Sequence, residues 1–180
     1  EGTAVLVVSV LVALDALDTE TAARFLTELG APDEDEELWA FVLAVTGQYA
    51  LLTGMPDDGL RYIESQMQRF GHLHRGVSSR LLTVVRAELD LALGRLGEAA
   101  RLVAGSVDSR SAPVRARIRA SAGDFAGAAV IVDRHDNDPT CSPGTLLELS
   151  VLRAVGAYSA GCAAEADRHL ARAVALSRRT

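Results

Sequence analysis

The stretch Leu93-Gly94-Arg95-Leu96-Gly97-Glu98-Ala99-Ala100-Arg101-Leu102 sets a glycine, and an alanine five residues on, between two apolar stretches of helical period. Ala87 lies seven residues before that glycine. The same spacing recurs as Gly47, Gly54 and Gly59, as Ala116, Gly123 and Ala128, and as Ala154, Gly161 and Ala166. A fifth occurrence, Leu11, Asp18 and Ala23, has an aspartate at the anchor and a large residue before it. Glycine stops a helix, and small residues let two helices approach. The pattern therefore predicts an all-α chain of about five antiparallel helix hairpins, with small residues at their closest contacts.

Working outward, the first hairpin is expected over residues 3–29, with helices of 3–17 and 19–29 ended by Gly30 and Pro32. The second spans 33–70 and opens in the acidic run Asp33, Glu34, Asp35, Glu36, Glu37, which suits a helix N-terminus and reads as a solvated cap. Its later helix places Leu60, Ile63, Met67 and Phe70 on one face. The third spans 77–105, with Leu81, Leu82, Val85 and Leu89 striping one helix and Leu96, Ala99, Leu102 and Val103 the other. The fourth spans 112–134, with Phe125, Ala128, Ala129 and Val132 inward, and the fifth 143–178, with Ala166, Leu170, Ala173 and Val174 inward. Sustained polar and apolar alternation is missing, so no strand is predicted. The five hairpins form one expected domain over residues 1–180, and the opening at Glu1 reads as a segment of a longer protein.

Composition narrows the function. Apolar residues make up 49% of the chain but aromatics only 4%, so the core must be built from Ala, Leu and Val. The net charge is −6 and all 18 basic residues are arginine, an acidic balance that argues against direct nucleic-acid binding by this segment. Without lysine there is neither a phosphate-binding loop nor a Schiff base. The apolar run from Ala4 to Leu14 is about half the roughly 20 residues a membrane span requires, and it reads as a buried first helix. Two cysteines, Cys141 and Cys162, are too few for a disulfide framework, which sets a cytoplasmic expectation.

A small residue, a turn glycine seven later and an alanine five after that resemble the tetratricopeptide repeat, whose usual period is about 34 residues. The anchors here are 36, 40, 29 and 38 residues apart. That irregularity, with the stretch quoted above and Ser159-Ala160-Gly161-Cys162-Ala163-Ala164-Glu165-Ala166-Asp167-Arg168-His169-Leu170, resembles the superhelical domain of MalT-type LuxR-family bacterial transcriptional regulators. The tyrosine-preferring positions of the repeat carry Asp90 and Ala157. The resemblance implies a right-handed α-α superhelix acting as a non-catalytic sensor or interaction segment, in a parent whose ATPase and DNA-binding modules lie elsewhere. A cytoplasmic scaffold unrelated to transcription is the alternative. An all-helical enzyme is a third reading, disfavoured because no acid, base and nucleophile set converges in the sequence. No cofactor is expected in this segment.

The resemblance also implies a concave groove lined by the first helix of each hairpin. Carried across by the turn glycine, it comprises Phe41, Ala44, Gln48 and Leu51, then Leu81, Val84, Glu88 and Leu91. Arg110, Pro113 and Arg117 follow, then Glu148, Val151, Val155 and Tyr158. Phe41, Gln48, Leu81, Glu88, Arg117, Glu148 and Tyr158 are the candidate contacts for a protein or peptide segment, or for a small effector. The competing reading packs these residues against neighbouring helices. The apolar faces at the ends of such an array can also pair two copies into a homodimer.

Other clusters read as structure. His72, His74 and Arg75 suit a polar connection between hairpins, without adjoining metal ligands at zinc spacing. His135, Asp136, Asn137, Asp138, Pro139, Cys141 and Pro143 read as turn chemistry, although the helix after Cys141 could lower the pKa of a reactive thiol. Arg115, Arg117 and Arg119 alternate and should point in different directions, and Trp39 is expected to anchor the packing of the first two hairpins.

Overall fold

A helix of L-residues ends most readily where one residue can turn to positive φ and bring the next N–H groups back onto the last free carbonyls. The computed structural model uses that device at the turn of every hairpin. It describes residues 2–31, 38–70, 77–136, 138 and 141–177, the side chains of Phe70 and residues 77–79 excepted. Ten helices and no strand occur among them. They are α1 (Thr3–Asp15), α2 (Thr19–Leu29), α3 (Trp39–Leu52), α4 (Pro56–Phe70), α5 (Val77–Ala92), α6 (Leu96–Val103), α7 (Ala112–Ser121), α8 (Phe125–His135), α9 (Pro143–Ser159) and α10 (Ala163–Ser177). The acidic run 33–37, the histidine pair at 72 and 74 with Arg75, Asn137, Pro139 and the C-terminal end beyond residue 177 lie outside the described residues.

Gly54, Gly94, Gly123 and Gly161 have φ of 73°, 75°, 79° and 76°. After each, the next N–H reaches back five residues, Met55 to the carbonyl of Ala50 at 2.8 Å and Cys162 to that of Ala157 at 2.9 Å. The glycine N–H itself donates three residues back, from Gly94 to Leu91 at 3.0 Å and from Gly123 to Ala120 at 2.9 Å. This double closure satisfies carbonyls the helix would otherwise leave open.

The first turn corrects the sequence register. Leu17, not Asp18, takes positive φ (57°), and the same closure follows from Asp18 N–H to Ala13 and from Leu17 N–H to Leu14. Asp18 is the N-cap of α2, its carboxylate accepting the Thr21 N–H at 3.0 Å. That bond holds its carboxyl below the usual carboxylate range. Counted from Leu17, the seven-before and five-after positions are Val10 and Ala22, both fully buried, instead of Leu11 and Ala23. A leucine in the left-handed region is strained by roughly 1–2 kcal/mol. Leu17 is 71% exposed, so little packing is lost with its side chain. Leu17→Gly is expected to raise the unfolding free energy by about 1 kcal/mol in urea titrations; a destabilised variant would refute the turn geometry.

The ends of the other helices follow local chemistry. Pro56 and Pro143 occupy first-turn positions where no N–H is needed, with Asp57 and Asp58 in the first turn of α4 and Arg69 in its last. Ser142 accepts the Thr145 N–H at 3.1 Å, and Asp124 accepts that of Gly127 at 2.8 Å.

By their internal contacts the residues group into two compact units, Glu1–Leu102 and Val103–Thr180. In the first, α3 packs on α1 and α2 through Val42, Val45 and Tyr49 against Val10, Ala13, Ala22 and Leu26, and α5 packs on α3 and α4 through Leu82, Val85 and Leu89. In the second, α9 packs on α7 and α8 through Leu149 and Leu152 against Ala116, Ala128 and Val132, and α10 packs on α9.

Three packing expectations need correction. Trp39 is buried but belongs to the core shared by the second and third hairpins. Helix α1 is only half buried, with Val5, Val8 and Val12 exposed by 54–63%. Leu170 and Val174, expected inward, are exposed by 46% and 51%, because an apolar stripe marks a face but does not supply the helix that covers it. No described helix is long and apolar enough to cross a membrane.

Candidate binding face

Residues 13, 10, 6 and 3 before each turn anchor fall on one face of the first helix, since their spacing of three and four follows the helical period. In α3 these are Phe41, Ala44, Gln48 and Leu51, with Ala44 fully buried and the other three half-buried. In α5 they are Leu81, Val84, Glu88 and Leu91, with Val84 buried and the flanking three half-buried. Each helix thus offers a buried small or branched residue flanked by side chains that are still reachable. Leu51 and Leu81 also lean on the core between hairpins two and three, and Phe41 leans on the core between one and two. The competing packing role therefore holds in part for all three.

In the second unit Arg110 is exposed, Pro113 is buried and Arg117 is half-buried. The structure joins two candidates directly, because Arg117 Nε and Glu148 Oε1 form an ion pair at 3.0 Å. This pair bridges α7 and α9, and each side chain keeps about a third of its surface exposed. Val151, Val155 and Tyr158 continue the strip along α9, and Tyr158 is exposed by 75%. Arg119 turns to Asp124 at 2.9 Å, away from the Glu148 partner of Arg117. Within the first unit the amide of Gln48 and the carboxylate of Glu88, and within the second the Arg117–Glu148 pair, each set polar groups among apolar surface, a combination that can hydrogen-bond a peptide backbone while burying its apolar side chains.

Two further clusters take shape in the structure, the first of them not evident in the sequence. Glu64 of α4, Arg86 and Asp90 of α5, and Arg95, Glu98 and Arg101 at α6 line a polar cleft of about 520 Å³. Asp90 is buried, with its carboxylate 3.8 Å from Arg95 Nη1. Burial pushes its carboxyl above the ordinary range, and Arg95 and Arg86 oppose that rise only in part. A carboxylate pKa raised by folding means that the charged form destabilises the fold once the pH exceeds the raised value. The effect fades as pH falls through that value and is gone below the ordinary one. Asp90→Asn should therefore be more stable than the parent in urea at pH 7, with the advantage shrinking towards pH 4; an advantage that grows on acidification has the wrong sign.

The second cluster is the loop after α8, where His135, Asp138 and Cys141 each place one donor atom within 4.8 Å of the others. His135 is buried, and its Nδ1 lies 3.2 Å from Asp138 Oδ2. Arg172 of α10 anchors the same loop, pairing with the Asp136 carboxylate and donating to its carbonyl at 3.1 Å. Burial, and then Asp138, push the Cys141 thiol up, opposite to the expected dipole effect. Cys141 Sγ also donates to the His135 carbonyl at 3.7 Å, so hydrogen bonds link all three residues across the loop.

Comparison with known protein families, characterised proteins and solved structures finds no match to this chain.

Proposed function

We propose that the chain is a non-catalytic helical-repeat domain that binds a protein segment or effector across the exposed face of its first helices. The observation that supports this most is the recurrence of one face in successive hairpins, buried at its middle and reachable at Phe41, Gln48, Leu81 and Glu88, with Arg117, Glu148 and Tyr158 at the matching positions of the second unit. One turn geometry repeated five times favours a tetratricopeptide-like right-handed superhelix. The uneven repeat length favours the sensor or interaction segment of a MalT-like LuxR-family regulator. In that role a bound partner shifts the array between two states only by preferring one of them.

The genomic context tests the regulator role. An ATP-binding loop encoded upstream and a LuxR-type helix-turn-helix downstream support it, and a gene with neither supports a scaffold outside transcription. Gln48→Ala, Glu88→Ala and Tyr158→Ala are expected to weaken partner binding about tenfold each, with stability within roughly 0.5 kcal/mol of the parent. Isothermal titration with the cognate partner checks this, and unchanged affinity in all three rejects the placement of the site.

A further inference from the structure

The joints inside each unit follow one rule. Residues 12, 9 and 5 before a turn anchor form the face by which a hairpin docks onto the one before it. In the second hairpin these are Val42, Val45 and Tyr49, in the third Leu82, Val85 and Leu89, and in the fifth Leu149, Leu152 and Gly156. Val42 and Val45 are buried against the first hairpin, Leu82, Val85 and Leu89 against the second, and Leu149 against the fourth. The surface that receives them is equally regular, with a small or slim residue seven before the anchor, another five after it, and an apolar residue nine after it. Val10, Ala22 and Leu26 serve in the first hairpin, Gly47, Gly59 and Ile63 in the second, and Ala116, Ala128 and Val132 in the fourth.

Each half of this joint also occurs with no other hairpin against it among the described residues. In the first hairpin the docking positions are Val5, Val8 and Val12, three valines exposed by 54%, 58% and 63%. A groove of about 330 Å³ opens beside Val8 and Val12 and is floored by Ala13 and Phe25. In the fifth hairpin the receiving positions are Ala154 and Ala166, both buried, and Leu170, with Val174 four residues further along α10. Leu170 and Val174 are exposed by 46% and 51%. Charge does not oppose their meeting: the first hairpin carries Asp15, Asp18, Glu20 and Glu28 against Arg24, and the fifth has Arg153, Arg168 and Arg172 balancing Glu148, Glu165 and Asp167.

We propose that the Val5, Val8 and Val12 face docks onto the fifth hairpin of a second copy of this chain, so that copies associate head to tail by the same joint that stacks hairpins within each unit. An interface of this kind uses two different surfaces, and it propagates unless a ring closes. It therefore predicts a mixing behaviour that a symmetric dimer cannot show.

The test is analytical ultracentrifugation of the purified 180-residue chain without added ligand, with Val8→Glu and Leu170→Glu, two exposed positions where a charge leaves the core intact, as single-face variants. The parent should show mass rising above the monomer with concentration, up to roughly 0.5 mM. Each variant alone should lose association at least tenfold, with a circular dichroism melt matching the parent. An equimolar mixture should recover a one-to-one dimer and nothing larger, since each variant keeps the half the other lacks. Val12→Arg and Val174→Glu should repeat the pattern. A monomeric parent across the range overturns the proposal and leaves the faces to flanking segments or other proteins. So does a Leu170→Glu protein that still dimerises alone, which indicates a symmetric valine contact, and so does a mixture that stays monomeric.

Discussion

Gly59→Leu is expected to lower the unfolding free energy by about 3 kcal/mol and the melting temperature on the order of 10 °C. A Cβ at residue 59 would stand 2.5 Å from the Cβ of Ala50, well inside the ~3.5–4.0 Å of a carbon contact. Ala50 has no torsion by which to withdraw, so α3 and α4 must separate. The Leu89 methyl groups, 3.4 Å and 3.9 Å from the same point, bring α5 into the conflict. The helix-propensity gain on replacing glycine, about 1 kcal/mol, is smaller than the overpacking it causes. Gly97 supplies the control, because a Cβ there meets nothing within 4 Å. Gly97→Ala should be neutral or stabilising by up to about 1 kcal/mol in the same thermal and urea melts. A Gly59→Leu protein as stable as the parent would show that α3 and α4 do not meet at this point.

Leu89→Ala is expected to be as damaging, with a loss of about 3–4 kcal/mol. Leu89 is fully buried, and it fills the space left by the two glycines, reaching within 3.4 Å of the Cβ positions of both Gly47 and Gly59. It therefore fastens the third hairpin to the second. Truncation removes its apolar burial and leaves a cavity between rigid helices that cannot collapse onto it. Val12 holds the same position in the first hairpin but is 63% exposed, so Val12→Ala should stay within roughly 0.5 kcal/mol. Urea titration with an unchanged m-value distinguishes the two, and similar losses for both would undo the rule by which hairpins dock.

The sequence carries the helix boundaries well because their causes are local. Four glycines turn to positive φ where their spacing placed them, and Pro56, Ser142 and Asp124 begin helices by chemistry visible within one turn. The first turn was misphased by one residue for a physical reason. Asp18 carries a strong N-cap signal, whereas Leu17 gives no sign that it will adopt a conformation leucine rarely takes. Long-range facts were harder to read. An amphipathic stripe told that Leu170 and Val174 share a face with Ala166 and Ala173, but a stripe does not reveal whether another helix covers its edge. His135, Asp138 and Cys141 looked like turn residues because their spacing is that of a turn. That the imidazole closes inward depends on α8 running to its last residue and on Arg172, 36 residues away, holding the Asp136 side of the loop.

For the candidate face, the sequence supplied the helical phase but not the depth. It could not distinguish Ala44, fully buried beneath the strip, from Gln48, which remains reachable. Nor could it foresee that Arg117 and Glu148 would neutralise each other across two helices, which leaves a ligand a paired charge at that point instead of a lone one.

Site-specific photocrosslinking in cells of the source organism tests the central claim most directly. A photoreactive phenylalanine analogue placed at Gln48 or Tyr158, on the proposed face, should trap a discrete partner. The same group at Val130, exposed by 61% on α8 and outside that face, should not. Equal trapping from all three positions, or a partner trapped only from Val130, contradicts binding at the first-helix face.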